Sequence, residues 1–288
     1  MPELPEVELW QRALAAALTG RRVAGFACSQ AGFVRAPLRN VDGFAAGVAG
    51  RVVNAVERRG KRLLFGLDEA VAVSLGFGLW VRLELRTAPL EPLKGAQFEF
   101  ARQDEPSHGS RLPGLYDPAS PFGPSAPLFL AVTEIALANV ALGTCEPPAG
   151  PPPFDALESR LDGPLLASLA PGRSAVKAFL TDDRYVSGVG NGYSDELLWQ
   201  ARVHPRRPCG RLAADEWAAV AAALRAVFTA ALQAGGEAGF LGPDGRIGTF
   251  ERLIHHHGGE PCPRCGSLLS SLMAGRRETN FCLVCQPI

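Results

Sequence analysis

Two short stretches, one near each end of the chain, carry residue types that can do chemistry. The first is Pro2-Glu3-Leu4-Pro5-Glu6. A small residue such as proline directly after the initiator methionine permits removal of that methionine, leaving Pro2 as a free secondary amine. An α-amino group titrates near about 8, so a useful fraction is neutral and nucleophilic at neutral pH. Attack by such an amine on a sugar C1′ gives an iminium, which acidifies the C2′ proton and invites β-elimination. Glu3, next in the chain, is placed to act as general acid and base. The same residues have a plainer reading: Pro2 and Pro5 open a helix, and Glu3 and Glu6 complement its dipole.

The second stretch is Cys262-x-x-Cys265, sixteen residues, then Cys282-x-x-Cys285. Each pair in a tight turn aims two thiolates at one ion, and four thiolates complete a tetrahedral shell, so the spacing predicts one structural Zn2+. Pro261, Pro263 and Gly266 suit the turns around the first pair. The hairpin between the pairs carries Gly275-Arg276-Arg277-Glu278-Thr279, a loop that the metal would hold rigidly. His255, His256 and His257 lie just upstream and read as a surface or DNA-facing cluster. The other cysteines, Cys28, Cys145 and Cys209, read as free thiols.

Between these ends the pattern changes once. Leu4, Val7, Leu14 and Leu18 have helical spacing, and Thr19-Gly20 closes that helix. Strand-like runs follow at 23–27, 51–56, 62–67, 71–75, 79–85 and 96–101, divided by Gly, Pro and Asp, which suggests a β-sandwich. Residues 147–153 are mostly proline and read as a semi-rigid linker. Beyond it the pattern is helical at 154–161, 165–169, 175–181, 195–201 and 214–234, then glycine-rich over 235–248. The expectation is an α+β chain: an N-terminal helix and β-sandwich domain (1–142), a linker (143–153), a helical domain (154–250) and a zinc finger (251–288).

Composition is that of an ordinary globular protein, and the formal net charge is zero, which excludes a polycation. Positive charge is local instead. Arg51, Arg58, Arg59, Lys61 and Arg62 cluster in one segment, and Arg202, His204, Arg206, Arg207 and Arg211 in another. Both suit a surface that tracks phosphates, and both also suit solvated arginine faces. The acidic start is unlike a signal peptide, and no apolar run is long enough to span a membrane.

Taken together, these residues resemble the formamidopyrimidine-DNA glycosylase and endonuclease VIII family, over essentially the whole chain and in the right order. The opening resembles the family start. Arg58-Arg59-Gly60-Lys61-Arg62-Leu63-Leu64-Phe65 resembles the hairpin that bears a phosphate-binding lysine. Val186-Ser187-Gly188-Val189-Gly190-Asn191-Gly192-Tyr193-Ser194-Asp195-Glu196 resembles the helix–two-turn–helix signature, and the cysteine unit with Arg277 resembles the family zinc finger. The resemblance implies that Pro2 is the nucleophile and Glu3 its acid/base partner, with Lys61 and Arg277 completing the catalytic set. It places Glu6 in the lesion-pocket region and Lys61, Asn191 and Arg277 on the phosphates that flank a flipped-out nucleotide. Gly190, with its neighbouring glycines, would let backbone N–H groups approach a phosphate at a helix start. Lys177, in the helix before this signature, reads either as a further backbone contact or as an exposed helix charge.

The chain departs from the family where side chains fill the space left by the flipped base. Ser74-Leu75-Gly76-Phe77 stands for His-Leu-Gly-Met, and Asp117-Pro118-Ala119-Ser120-Pro121-Phe122-Gly123 lacks the usual arginine. Phe77 and Phe122 remain as apolar wedges, but the donor that would read an orphaned cytosine is gone. The loop over 235–248 also looks shorter than in 8-oxoguanine-type members. The resemblance therefore implies a divergent member: a bifunctional glycosylase and AP lyase of base excision repair. It would cleave through a proline Schiff base by β, or by successive β and δ, elimination. Its partner would be damaged DNA, double- or single-stranded. It would be monomeric, without membrane contact, in the bacterial cytoplasm at the nucleoid. The competing reading is a damage-binding protein of the same ancestry with little or no base removal. The altered wedge positions motivate it; intact Pro2, Glu3, Lys61, Asn191 and Arg277 argue against it.

Overall fold

The computed structural model describes residues 2–35, 40–68, 71–77, 81–101, 127–133, 139–144, 154–274 and 277–288. The chain forms two compact units. The first comprises Met1–Pro2, Val7–Pro148 and Leu241–Arg246; the second comprises Glu3–Glu6, Ala149–Phe240 and Ile247–Ile288. Among the described residues no helix is long and apolar enough to cross a membrane.

Helix α1 runs over Leu4–Leu18, and the residues that predicted it (Leu4, Val7, Leu14, Leu18) are all fully buried. The first unit then builds two antiparallel four-stranded sheets. One has the order β1 (Val23–Cys28), β6 (Ala96–Phe100), β7 (Leu128–Thr133), β5 (Arg82–Arg86); the other β2 (Ala55–Arg59), β3 (Arg62–Gly66), β4 (Val71–Gly76), β8 (Asn139–Thr144). Apolar residues alternate inward, as Leu63 and Phe65 do on β3 and Phe98 and Phe100 on β6. Phe65 and Phe98 stack across the two sheets at 6.4 Å, and Phe26 and Phe44 of the short helix α2 (Val41–Val48) close the same cluster. This is the expected sandwich.

Two local expectations shift. The strand expected over 51–56 begins at Ala55, because Gly20, Val23 and Val53 tie residues 51–53 to the segment after α1. Phe77 directly follows β4 and is half-buried, and Phe122 lies outside the described residues. The helix expected over 154–161 does not form. Phe154–Asp155 is instead a short strand, β9, parallel to β10 (Val186–Ser187). Asp155 then closes a turn: its carboxylate accepts from Leu157 N at 3.0 Å and its carbonyl from Glu158 N at 2.9 Å.

The second unit is helical. Its helices are α3 (Gly163–Leu169), α4 (Val176–Leu180), α5 (Asn191–Ala201) and α6 (Ala214–Gln233). They share one apolar cluster, and a smaller one gathers Ile254, Cys262, Leu269 and Cys282. Val220, Leu224 and Phe228 of α6 meet Tyr193, Leu197 and Leu198 of α5, and Phe179 packs edge-on to Trp217 at 5.8 Å. Leu4 belongs to the larger cluster. The hairpin β11 (Ser270–Ala274) and β12 (Arg277–Phe281) pairs antiparallel, with Ala274 opposite Arg277.

Candidate active site and zinc centre

Glu3 directly precedes the first turn of α1. Glu6, one turn on, reaches back so that its Oε2 accepts from Glu3 N at 2.9 Å, half of a capping box. Its Oε1 accepts from the Tyr193 hydroxyl at 2.6 Å and from Glu237 N at 3.0 Å. Expected near a lesion pocket, Glu6 is thus a buried joint with three donors. Burial, then the Glu6 charge, pushes the Tyr193 phenol far above its ordinary value, so it stays a donor throughout the physiological range.

Glu3 is buried as well. Its Oε1 accepts from Gly192 N at 3.0 Å, in the first turn of α5. The positive end of a helix dipole favours a carboxylate there. The glycines of the signature therefore hold the chain's own carboxylate. A Cβ on Gly190 would fall 2.2 Å from Glu3 Cδ, so only glycine lets α5 start against this side chain. Arg252 lies on the same carboxylate, with Nη2 3.9 Å from Glu3 Oε1 and 2.7 Å from Glu237 Oε2. Pro2, directly before Glu3, is half-buried.

Behind Glu3 lies a buried polar chain that sequence reasoning missed. Lys177, read as a DNA contact or an exposed charge, is buried on Asp195 and reaches the Asn191 carbonyl at 3.4 Å. Burial pushes the Lys177 ammonium below its ordinary value, against the pull of Asp195. The other Asp195 oxygen takes His255 Nδ1 at 2.7 Å and Asn280 N at 3.2 Å. Glu196 accepts from the N–H groups of Leu253, Ile254 and His255 at 2.9 to 3.0 Å. His255 is therefore a buried structural residue, a correction to the surface cluster expected of it; His256 beside it is exposed. The legible signal was Asp195-Glu196, two acids adjoining the apolar Leu197-Leu198 on one helix.

This chain of bonds ends at the hairpin that carries Arg277. Asn191 Nδ2 donates to the Glu278 carbonyl at 2.8 Å, and Asn280 Oδ1 accepts from His256 N at 2.8 Å. Arg277 itself is exposed at the start of β12. In the second unit the fold thus brings together Glu3, Glu6, Lys177, Gly190, Asn191 and Arg277. Lys61, of the first unit, is half-buried in the tight turn between β2 and β3, where Gly60 takes a left-handed φ of 56°. Of its basic neighbours, Arg58 is largely buried on Glu8 at 2.6 Å. In the second basic segment Arg207 pairs with Glu216 at 2.6 Å and His204 is buried edge-on to Phe281. Neither segment is wholly a solvated face, one of the two readings its sequence left open.

The four cysteines converge, with all their Sγ atoms within 4.8 Å of one another. Cys262 and Cys285 lie 3.9 Å apart, Cys265 and Cys282 3.5 Å. A tetrahedron with Zn–S bonds of about 2.3 Å sets its sulfurs about 3.8 Å apart, so the donor set fits zinc. Gly266 N and Gln286 N close the two knuckles on the carbonyls of Cys262 and Cys282, each at 2.8 Å. Trp199 Nε1 donates to Cys262 Sγ at 3.4 Å.

Comparison with known proteins gives the same assignment along the whole chain. Family models match the formamidopyrimidine-DNA glycosylase N-terminal domain over residues 1–109 and its H2TH domain over 153–240. The zinc finger found in FPG and IleRS matches over 259–288. The formamidopyrimidine-DNA glycosylase of Alkalilimnicola ehrlichii is 35% identical, covering 99% of this chain and 100% of the relative; that of Cupriavidus pinatubonensis is also 35% identical, with the same coverage. In fold, the Lactococcus lactis Fpg complexed with abasic-site DNA superposes with a TM-score of 0.79 at 22% identity, over 100% of both chains. The chain belongs to the formamidopyrimidine-DNA glycosylase family.

Proposed function

We propose that this protein is a base-excision-repair DNA glycosylase with AP-lyase activity, using the Pro2 amine as nucleophile. The observation that carries the reading is Glu3. It directly follows Pro2, and its carboxylate is buried, fixed by Gly192 N–H and bordered by Arg252. The Pro2 nitrogen attacks C1′ of the damaged nucleotide, and the C1′–base bond breaks with protonation of the departing base. The C1′–O4′ bond then opens with a proton delivered to O4′, leaving an open-chain iminium that makes the C2′ proton acidic. Glu3 relays protons, and loss of the C2′ proton expels the 3′ phosphate by β-elimination. A second, δ, elimination would release the 5′ phosphate. Glu6 supports the lesion pocket by fixing Glu3 N and the chain at Glu237.

Substrate is damaged DNA, double- or single-stranded, with the target nucleotide flipped out; flipping costs a few kcal/mol, and least for damaged or unpaired bases. Lactococcus lactis Fpg has been crystallised with DNA containing an abasic site, an oxidised pyrimidine or N7-benzyl-Fapy-dG. Lys61, Asn191, Gly190 and Arg277 serve the flanking phosphates, with Lys177 supporting Asn191 from behind. Phe77 and Phe122 serve as wedges. The zinc is structural and holds the hairpin of Arg277. The reading takes 1–142 as the catalytic β domain, 143–153 as linker, 154–250 as the helical DNA-binding domain and 251–288 as zinc finger, in a monomer working in the bacterial cytoplasm at the nucleoid.

Borohydride trapping on abasic and lesion-bearing oligonucleotides tests the mechanism. Wild type should give a covalent adduct, Pro2→Gly a weaker one, and Glu3→Gln should lose turnover. No adduct with wild type, or undiminished trapping and nicking by both variants, refutes it. Turnover on abasic DNA also separates an enzyme from a binding-only relative.

A further inference from the structure

Residue 192 is glycine, and the space a side chain would fill there is occupied by Arg252. A Cβ on Gly192 would lie 2.3 Å from Arg252 Nη1 and 2.4 Å from its Cζ. Three constraints hold the guanidinium in this seat. Its Cζ sits 5.3 Å from the centroid of the Tyr193 ring. Nη2 is bound to Glu237 Oε2 at 2.7 Å. The backbone just after it is pinned, because Leu253, Ile254 and His255 all donate to Glu196. The side chain is only 12% exposed. From there Nη2 lies 3.9 Å from the Glu3 oxygen that Gly192 N–H also holds.

We propose that Arg252 is a positioning residue for Glu3, keeping its carboxylate turned toward the helix start, from a seat that exists because residue 192 is glycine. Glu237 is the third residue of the glycine-rich segment, and its N–H is held by Glu6. Arg252 thereby ties the acid/base group to that segment, so a displacement at Glu237 reaches Glu3 through one side chain. The inference rests on the proposed role of Glu3 in catalysis.

The test combines Arg252→Met, Arg252→Lys, Gly192→Ala and the double variant Gly192→Ala/Arg252→Met. It measures thermal midpoint, affinity for abasic-site DNA and single-turnover cleavage of that DNA. A Cβ at 192 displaces the flexible end of Arg252, so Gly192→Ala should lower the midpoint in wild type but not in the Arg252→Met background. Arg252→Met should slow cleavage about tenfold with affinity changed less than about twofold, and Arg252→Lys should recover part of the rate. Gly192→Ala should slow cleavage to a similar degree and add nothing to Arg252→Met. Independent, additive effects of the two sites on the midpoint overturn the shared seat. Wild-type cleavage by Arg252→Met overturns the positioning role. Absence of cleavage by wild type overturns the proposed function instead, and the midpoints still decide whether the seat is shared.

Discussion

Replacing Lys177 by methionine should destabilise the second unit severely. Methionine keeps most of the stem and removes the charge. The Lys177 and Asp195 side chains are 5% and 1% exposed, so neither can turn to water when the other is lost. Removing one member of a buried ion pair costs about 3–5 kcal/mol, because the remaining charge is left without compensation. Asp195 keeps His255 Nδ1 and Asn280 N on its other oxygen, which puts the expected cost at the lower end, about 3 kcal/mol. In a unit of this size that is a fall in Tm of roughly 6–12 °C. Thermal unfolding at pH 7 with zinc present measures it. Lys177→Met/Asp195→Leu, which removes both charges, should be less destabilised than the sum of the single variants, since no lone charge remains. A loss below about 1 kcal/mol in Lys177→Met, or simple additivity in the pair, would refute the account of Asp195 as a carboxylate that depends on this lysine.

Three further outcomes are expected. Gly190→Ala would set a Cβ 2.2 Å from Glu3 Cδ, so single-turnover cleavage at saturating DNA should fall by about a hundredfold or more. Tyr193→Phe loses a 2.6 Å bond to the Glu6 carboxylate and should cost about 1.5–3 kcal/mol at neutral pH. The folded phenol's raised pKa means that its contribution is complete below about pH 10. Above that the unfolded tyrosine ionises while the folded one does not, so in urea titrations the gap between wild type and Tyr193→Phe should shrink as pH rises. Stripping zinc with a chelator should collapse hydrogen-exchange protection of β11 and β12 and abolish salt-sensitive DNA binding, and restored metal should recover both.

Where local chemistry decided structure, the sequence was readable. Helix α1 follows from its buried stripe, with Thr19-Gly20 to stop it, and the four cysteines carry their geometry in their spacing. Reading failed where distant partners decide. Helix α5 begins at Asn191, four residues before its periodic part, because Glu3 supplies the acceptor at its N-terminus from far away in sequence. The segment after Pro153 has helical periodicity, yet Asp155 and the pairing with Val186 make it a strand and a turn. The triplet His255-His256-His257 looks uniform, but Asp195 draws in the first ring and leaves the second exposed. No periodicity reports that Gly192 makes room for Arg252, sixty residues on.

The assignment of Glu3–Glu6 to the second unit has a practical consequence for dissecting the protein. A fragment starting at residue 153 would keep the H2TH and zinc-finger matches whole. It would nevertheless leave Gly192 N–H, Tyr193 OH and Glu237 N–H with no acceptor, and the apolar pocket of Leu4 empty. Such a fragment should be expressed with a peptide carrying the first six residues supplied in trans, and its recovery of cooperative melting would titrate with that peptide.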